Sequence, residues 1–206
     1  MHLEVLTHEG KKLLPYLSFK NYILGGGTAI ALQIGHRISV DFDFFSPEKI
    51  PRTFLSTLKQ KFPKDFEINP VINNSDELTI LIEGVKITFL YYPFAVIEPI
   101  SQDQGLQIFS LQELAATKAY TLGRREELKD YIDLYFLLKE KYCDLKQIID
   151  LAQKKFVNDF NDRLFLEQLI DLDSIPETKI TLLRESNLSE ELMREFFKSE
   201  LENLKI

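Results

Sequence analysis

The spacing of apolar residues divides the chain into a front part of mixed strands and helices and a rear part of helices alone. Short apolar or alternating runs predict strands over 21–24, 38–45, 66–72, 77–83 and 85–92. Helical spacing predicts helices over 3–17, 28–35 and 51–62, and beyond Pro99 over 110–142, 144–156, 160–172 and 188–204. Residues 173–180 indicate a connector. The pattern is that of an α/β region followed by a helical region.

Local signals sharpen three of these elements. Glu83-Gly84 separates two strand-like runs and predicts a hairpin. Ser110 followed by Glu113 matches a capping box at the start of a helix, and Gly123 is expected to divide that long helical segment in two. We therefore expect an α/β core over 1–109 and a helical domain over 110–206.

Composition narrows the class of protein. The 206 residues are 45% hydrophobic and 28% charged, as in globular domains that fold in water. No apolar run is long enough to span a membrane, and the N-terminal residues match neither a secretory signal nor a transit peptide. The net charge of −7 argues against general coating of nucleic acid. The single cysteine, Cys143, excludes an internal disulfide and fits a cytoplasmic protein, in which its role is structural.

Candidate chemistry begins with two aspartates in the predicted strand 38–45. Side chains two residues apart share a face of a strand, so Arg37, Ser39, Asp41 and Asp43 are expected on one side and Val40, Phe42 and Phe44 in the core. Two carboxylates about 7 Å apart along a strand can both reach one cation. Oxygen ligands favour Mg²⁺ or Mn²⁺, whereas one cysteine and three histidines make zinc a poor fit.

A glycine-rich turn precedes these aspartates. Gly25, Gly26, Gly27 and Thr28 lie between a predicted strand and a predicted helix. Glycines let the backbone approach a phosphate, and the N–H groups at a helix N-terminus bind anions. An anion cradle close to a carboxylate pair suits phosphoryl-group chemistry. The spacing is neither that of a Walker A loop nor that of a Rossmann fingerprint.

The segment GGGTAIALQIGHRISVDFDFF resembles the first motif of the nucleotidyltransferase superfamily, a Gly-Gly-Ser/Thr turn followed by Asp-x-Asp. Within that superfamily it is most similar to the AbiEii-type toxin family, which includes the MenT-like enzymes. The matching positions are Gly26, Gly27, Thr28, His36, Arg37, Ser39, Asp41 and Asp43. A later block resembles the family's downstream pattern at Lys118, Arg125, Lys129, Asp130 and Asp133.

The resemblance implies a nucleotidyltransferase-like mixed sheet with flanking helices, and a helical C-terminal region that completes the active-site cleft. It implies Mg²⁺-dependent transfer of a nucleoside monophosphate from an NTP to a tRNA 3′ end or a protein. An antitoxin is the usual partner in the family.

The resemblance also implies roles for single residues. Asp41 and Asp43 would hold the metal, and Gly26, Gly27 and Thr28 would contact the triphosphate. Arg37 and Ser39 would position the aspartates. The basic groups of Lys118 and Arg125 would face the phosphates, from one helix face if the helix is continuous. Asp130 and Asp133 would orient those basic groups or act as base; for Asp133 an ion pair or a cap is an alternative, as is a surface or hinge position for His36.

One departure from the superfamily keeps a second hypothesis open. Many nucleotidyltransferases place a third carboxylate on a later strand, but the run VKITFLYY at 85–92 has none. The alternatives are therefore an active enzyme and a nucleotidyltransferase fold that binds a nucleotide or a partner without turnover. A scaffold that docks a partner through its helices is a third. Most aromatic residues, Tyr131, Tyr135 and Phe136 among them, are expected in the core, whereas residues 91–94 form a cluster that could contact a nucleobase.

Overall fold

The computed structural model describes residues 1–122, 124–125, 127–176 and 178–204. Its named strands are β1 (Ile23–Gly25), β2 (Phe42–Ser46), β3 (Asn69–Asn73), β4 (Glu77–Ile82), β5 (Val85–Tyr91), β6 (Ser101–Asp103) and β7 (Leu106–Ile108). They form one sheet in the order β3-β4-β5-β2-β1-β7-β6. Strand β2 runs antiparallel to β1 and parallel to β5, so the sheet is mixed, as predicted.

The helices divide between the two parts of the chain as the sequence indicates. Those of the front part are α1 (His8–Leu13), α2 (Gly26–Ile34) and α3 (Phe54–Lys61). Those of the rear part are α4 (Leu111–Thr121), α5 (Leu128–Lys139), α6 (Leu145–Phe156), α7 (Asp162–Leu169) and α8 (Glu190–Asn203). Short 3-10 turns cover Leu3–Val5, Leu14–Tyr16 and Val157–Asp159. None of the described helices is both long and apolar enough to cross a membrane.

Two compact units make up this architecture. The sheet unit comprises Met1–Ala95 and Ile100–Phe109, and the helical unit comprises Val96–Pro99 and the described residues from Ser110 onward. The buried side chain of Glu113 explains why the segment 96–99 belongs to the helical unit. Its carboxylate accepts hydrogen bonds from the backbone N–H groups of Ile97 and Glu98, at 3.3 and 3.1 Å, and pairs with the buried ammonium of Lys155.

Aromatic side chains form the core on one face of the sheet. Phe44 of β2 stacks on Phe89 of β5 with ring centroids 5.3 Å apart, and Phe54 of α3 meets Phe89 edge-on at 4.9 Å. Such pairs add to the burial energy of the rings themselves. In the helical unit Tyr131, Tyr135 and Phe136 are buried. The prediction that these aromatic residues are core residues is confirmed.

Several local signals are confirmed in their detail. Helix α2 ends at Ile34 and is capped by Gly35, which adopts a left-handed conformation with φ of 68°. The hairpin between β4 and β5 turns at Glu83 and Gly84, whose φ values of 53° and 79° are typical of a type I′ turn. Ser110 caps α4 by accepting the N–H of Glu113 at 3.2 Å. The Glu113 carboxylate, however, binds segment 96–99 and Lys155, so the box is satisfied from one side.

The predicted strand 38–45 is too long at its start, and the predicted face of Val40 is wrong. The Ser39 N–H donates to the Val5 carbonyl at 2.9 Å, and Ser39 forms an isolated bridge with Leu6. Because the backbone pairs there with the N-terminal segment, the alternation along β2 begins only at Phe42. Val40 is 53% exposed, whereas Phe42 and Phe44 are buried as expected.

Other predicted elements are also corrected. The helix expected over 3–17 is α1 flanked by two 3-10 turns, because Thr7 caps α1 by accepting the Gly10 N–H at 3.1 Å. The hairpin of β6 and β7 was not predicted, since each strand has three residues and shows little periodicity. Helix α4 ends at Thr121 and α5 begins at Leu128. Gly123, where the break was predicted, lies outside the described residues.

Candidate active site

The glycine turn joins β1 directly to α2. Strand β1 ends at Gly25, and α2 begins at Gly26, which has a φ of 64°. The first N–H groups of a helix have no acceptor within the helix, and the helix dipole favours an anion beside them. Gly26 and Gly27 are half-buried, so the described N-terminus of α2 has the geometry of the predicted anion cradle.

Gly26 and Asp43 lie in direct contact. Gly25 pairs with Asp43 across the antiparallel strands β1 and β2. A Cβ atom added to Gly26 would lie 2.5 Å from Oδ2 of Asp43, closer than side-chain atoms can approach. Glycine at this position therefore lets the start of α2 lie against the carboxylate, and brings together the two parts of the motif that the sequence places 17 residues apart.

Asp41 is held from the side of α2 by a buried hydroxyl. Thr28 is 3% exposed, its hydroxyl donates to the Asp41 carbonyl oxygen, and its Oγ1 lies 2.7 Å from Oγ of Ser39. Arg37 lies with Nη1 3.1 Å from the Ile38 carbonyl oxygen and 3.4 Å from Oγ of Ser39. Thr28, Arg37 and Ser39 thus form buried support for the Asp41 backbone.

Lys86 is a neighbour of Asp41 that the sequence analysis did not identify. Its Nζ lies 3.3 Å from Oδ2 of Asp41, and the two side chains are 46% and 30% exposed. The alternation of Val85, Ile87 and Phe89 could have placed Lys86 on the opposite face of β5. What it could not show is that β5 lies beside β2.

The carboxylate oxygens of this site suit a hard divalent cation whose remaining ligands are phosphate oxygens of a substrate and water. Asp41 and Asp43 offer carboxylate oxygens, and the cradle at Gly26 lies beside Asp43. Among the described residues, no cluster of three or more His, Cys, Asp or Glu side chains could enclose a metal ion. Mg²⁺ is commonly held by one or two carboxylates together with waters and phosphate oxygens, so two aspartates beside an anion cradle suit Mg²⁺ or Mn²⁺.

An aromatic surface borders the same strand. Phe45 follows Asp43 by two residues and shares its face, and its ring lies against Gly25. The ring centroid of Tyr92 is 5.1 Å from that of Phe45 and 5.2 Å from that of Phe94. These half-buried rings include part of the predicted nucleobase cluster 91–94, which stays a prediction.

The downstream motif forms a buried ionic network in the helical unit. The Lys118 Nζ lies 2.5 Å from Asp130 Oδ1 and 2.6 Å from Asp133 Oδ2, and both aspartates are fully buried. Arg125 binds Asp130 through Nε at 2.8 Å and through Nη2 at 2.9 Å. Lys129, in contrast, pairs with Glu127 at 2.7 Å on the surface.

Two expectations about this network change. Lys118 and Arg125 do not share one continuous helix, because α4 ends between them; they converge on Asp130 instead. Burial by itself would raise the pKa of Asp130, but the ammonium of Lys118 and the guanidinium of Arg125 hold that pKa below its ordinary value. A carboxylate with a lowered pKa is a weak base, so the geometry favours orientation of the two cations as the role of Asp130.

The structure also bears on the surface position that was one alternative for His36. It is fully buried and is thus not a surface residue. Cys143 is buried and unoxidised, and burial raises the pKa of its thiol to about 12. A thiol with that pKa carries almost no thiolate at neutral pH.

Known proteins resemble this chain in sequence over most of its length. The family model described as "Nucleotidyl transferase AbiEii toxin, Type IV TA system" matches residues 13–205. The uncharacterized protein aq_aa25 of Aquifex aeolicus (strain VF5) is 33% identical over 141 residues, which cover 67% of this chain and 68% of that protein.

Solved structures share the fold. A crystal structure of a putative nucleotidyltransferase from H. pylori aligns with a TM-score of 0.57 at 20% identity, over 100% of this chain and 98% of that chain. The structure of JHP933 from Helicobacter pylori aligns with a TM-score of 0.52 at 15% identity, over 98% and 94% of the two chains. At these identities the likeness is evidence for the fold.

Proposed function

The chain belongs to the nucleotidyl transferase AbiEii toxin family, and from that premise we propose that it transfers a nucleoside monophosphate from an NTP to an RNA, such as a tRNA 3′ end, or to a protein. As a member of this family it is a nucleotidyltransferase enzyme. The observation that carries the proposal is the contact of the α2 N-terminus with Asp43, beside Asp41. Phosphate binding and metal binding are thereby combined on one face of the sheet unit.

Each group of the sheet unit has a role in the proposed reaction. An acceptor hydroxyl forms a new bond to the α-phosphorus, the bond from that phosphorus to the β-phosphate oxygen breaks, and diphosphate leaves while the hydroxyl proton passes to solvent or a base. The N–H groups at Gly26 and Gly27 bind phosphate oxygens. Asp41 and Asp43 would hold Mg²⁺ or Mn²⁺, and the bound ion would neutralise charge on the phosphates. Thr28, with Ser39 and Arg37 behind it, fixes the position of Asp41.

For the helical unit we propose that the network of Lys118, Arg125, Asp130 and Asp133 is required for transfer. Positioned positive charge is the main source of catalysis in phosphoryl transfer. Asp130 bonds to both cations, and Asp133 bonds to Lys118, so the carboxylates fix the direction in which that charge is presented. The cytoplasm as location and an antitoxin as partner complete the proposal.

A labelling experiment tests the function. The chain is incubated with each radiolabelled NTP in turn, with Mg²⁺ and total cellular RNA, and label is followed on both RNA and protein. We expect label with the wild type and none with an Asp41→Ala, Asp43→Ala variant. Asp76→Ala is the matched control, since it removes an exposed aspartate that pairs with Lys49.

A second candidate is a protein that binds nucleotide without turnover. It is favoured by one observation: Thr88, an uncharged residue, lies opposite Asp43 on β5, where the third carboxylate of an active site is missing. Absence of label with every NTP, together with retained nucleotide binding, would establish this candidate and reject transfer.

A further inference from the structure

The position of the absent third carboxylate can be located on β5. Strands β2 and β5 are parallel, and Asp43 pairs with Thr88. Paired residues project to the same face of a sheet, so a side chain at 88 is the one on β5 that lies beside Asp43. Thr88 is buried, and its Oγ1 lies 3.4 Å from that of Thr79. This position therefore contributes a hydroxyl and no charge.

The same face of β5 carries a positive charge one step earlier. Phe42 pairs with Ile87, so the register places Lys86 beside Asp41, and the Lys86 ammonium lies 3.3 Å from Oδ2 of Asp41. Asp43 has the start of α2 on its other side. Asp43 thus lies against the anion cradle, and Asp41 is paired with Lys86.

We propose that Lys86 replaces a second metal ion, so that the site works with one divalent cation. Three carboxylates with two divalent ions leave one surplus positive charge toward the triphosphate. Counted over the facing side chains of β2 and β5 alone, two carboxylates, one ammonium and one divalent ion leave the same surplus. Lys86 is a positioning residue: it holds the Asp41 carboxylate and balances its charge. This inference rests on the proposed function for its meaning, but its first test does not depend on transfer.

Metal titration gives that test. Free Mn²⁺ is followed by electron paramagnetic resonance as the full chain is titrated. We expect one Mn²⁺ per chain, abolished by Asp41→Asn with Asp43→Asn. Lys86→Ala should bind Mn²⁺ about tenfold more tightly, because the ammonium no longer competes for Asp41. Lys86→Arg should match the wild type, as should the control Lys146→Ala, which removes an exposed lysine paired with Asp150.

The second test restores a carboxylate at position 88. Thr88→Asp is expected to add a second Mn²⁺ per chain at the carboxylate site. Lys86→Ala should lose at least about tenfold in transfer despite its tighter metal, and Lys86→Arg should recover most of it. A residue with only a structural role would not tighten metal binding while lowering transfer.

Several outcomes overturn the inference: two Mn²⁺ ions bound by the wild-type carboxylates, no Mn²⁺ bound at all, Lys86→Ala with the metal affinity of Lys146→Ala, or Lys86→Ala with unchanged transfer. Failure of the proposed function looks different. A chain that shows the predicted Mn²⁺ pattern but labels no acceptor would reject transfer and leave the one-metal arrangement in place.

Discussion

The backbone of Gly26 lies against the carboxylate of Asp43, so closely that a single added carbon would be 2.5 Å from Oδ2. This contact joins the anion cradle to the metal-binding pair, and it depends on the absence of a side chain. The positive φ of Gly26 is a second, separate requirement for glycine. The two requirements can be tested apart.

Gly26→Ala is expected to lower nucleotidyl transfer about a hundredfold, because the added methyl displaces Asp43 or the start of α2. The left-handed backbone alone costs about 1 kcal/mol of folding free energy. Gly84→Ala is the matched control, since Gly84 has a φ of 79° and nothing within 4 Å of an added Cβ. Gly84→Ala should lose about 1 kcal/mol in urea unfolding and keep its activity, whereas Gly26→Ala should lose more, because the added methyl also displaces Asp43 or the start of α2. Equal activity in the two variants would contradict the role given to the contact.

Thr28→Val is expected to destabilise the sheet unit by about 1–2 kcal/mol, because the part-buried Asp41 carbonyl loses its donor while the side-chain shape is kept. Transfer should fall as well, since Asp41 is then free to shift. Thr28→Ser keeps the hydroxyl and should remain within about 1 kcal/mol of the wild type. Urea unfolding followed by circular dichroism gives the comparison. A valine variant as stable as the serine variant would show that the hydroxyl has no such role.

Much of the sheet unit could be predicted from the sequence because its signals are local. Gly35 ends α2, Glu83-Gly84 turns the hairpin, and Phe42 and Phe44 face the core. Periodicity does not report which strands are neighbours, so the pairing of β2 with β5, and with it Lys86, was not available from the sequence.

Long-range backbone pairing also limited the prediction of the site. Ser39 continues the alternating pattern of β2, yet its N–H bonds to Val5, more than thirty residues earlier. Beside that bond Val40 is exposed, and Arg37 and Ser39 are buried. The network around Asp130 was predicted as a set of residues, but its geometry required knowing that Arg125 lies beyond the end of α4.

Lys118→Met is expected to destabilise the helical unit by about 3–5 kcal/mol, because it removes the ammonium that the two fully buried carboxylates of Asp130 and Asp133 bind. Combining it with Asp133→Asn should recover part of the loss, since the buried charge is then removed too. Lys146→Met, at an exposed pair, should change stability by less than about 0.5 kcal/mol. These variants and Asp133→Asn alone are compared by urea unfolding at neutral pH. If the second substitution adds its full cost to the first, the two residues do not act as a pair.

Acid should weaken the helical unit through Asp130. Lys118 and Arg125 hold its pKa in the folded protein below the ordinary value of 3.8, so the folded state binds this proton less readily than the unfolded chain. The stabilisation is therefore complete above about pH 4 and is lost as the pH falls through the lower, folded pKa.

The measurement for Asp130 is the free energy of unfolding of the wild type and of Asp130→Asn between pH 2 and pH 6. The stability difference between them should be largest and constant above about pH 5, and should shrink steadily below about pH 4. Asp150→Asn, which changes an exposed carboxylate paired with Lys146, is the matched control. A difference between wild type and Asp130→Asn that stays constant down to pH 2 would mean that the two cations do not stabilise the charged form of Asp130. The carboxylate would then be free to serve as a base, the role that its ion pairs with Lys118 and Arg125 argue against.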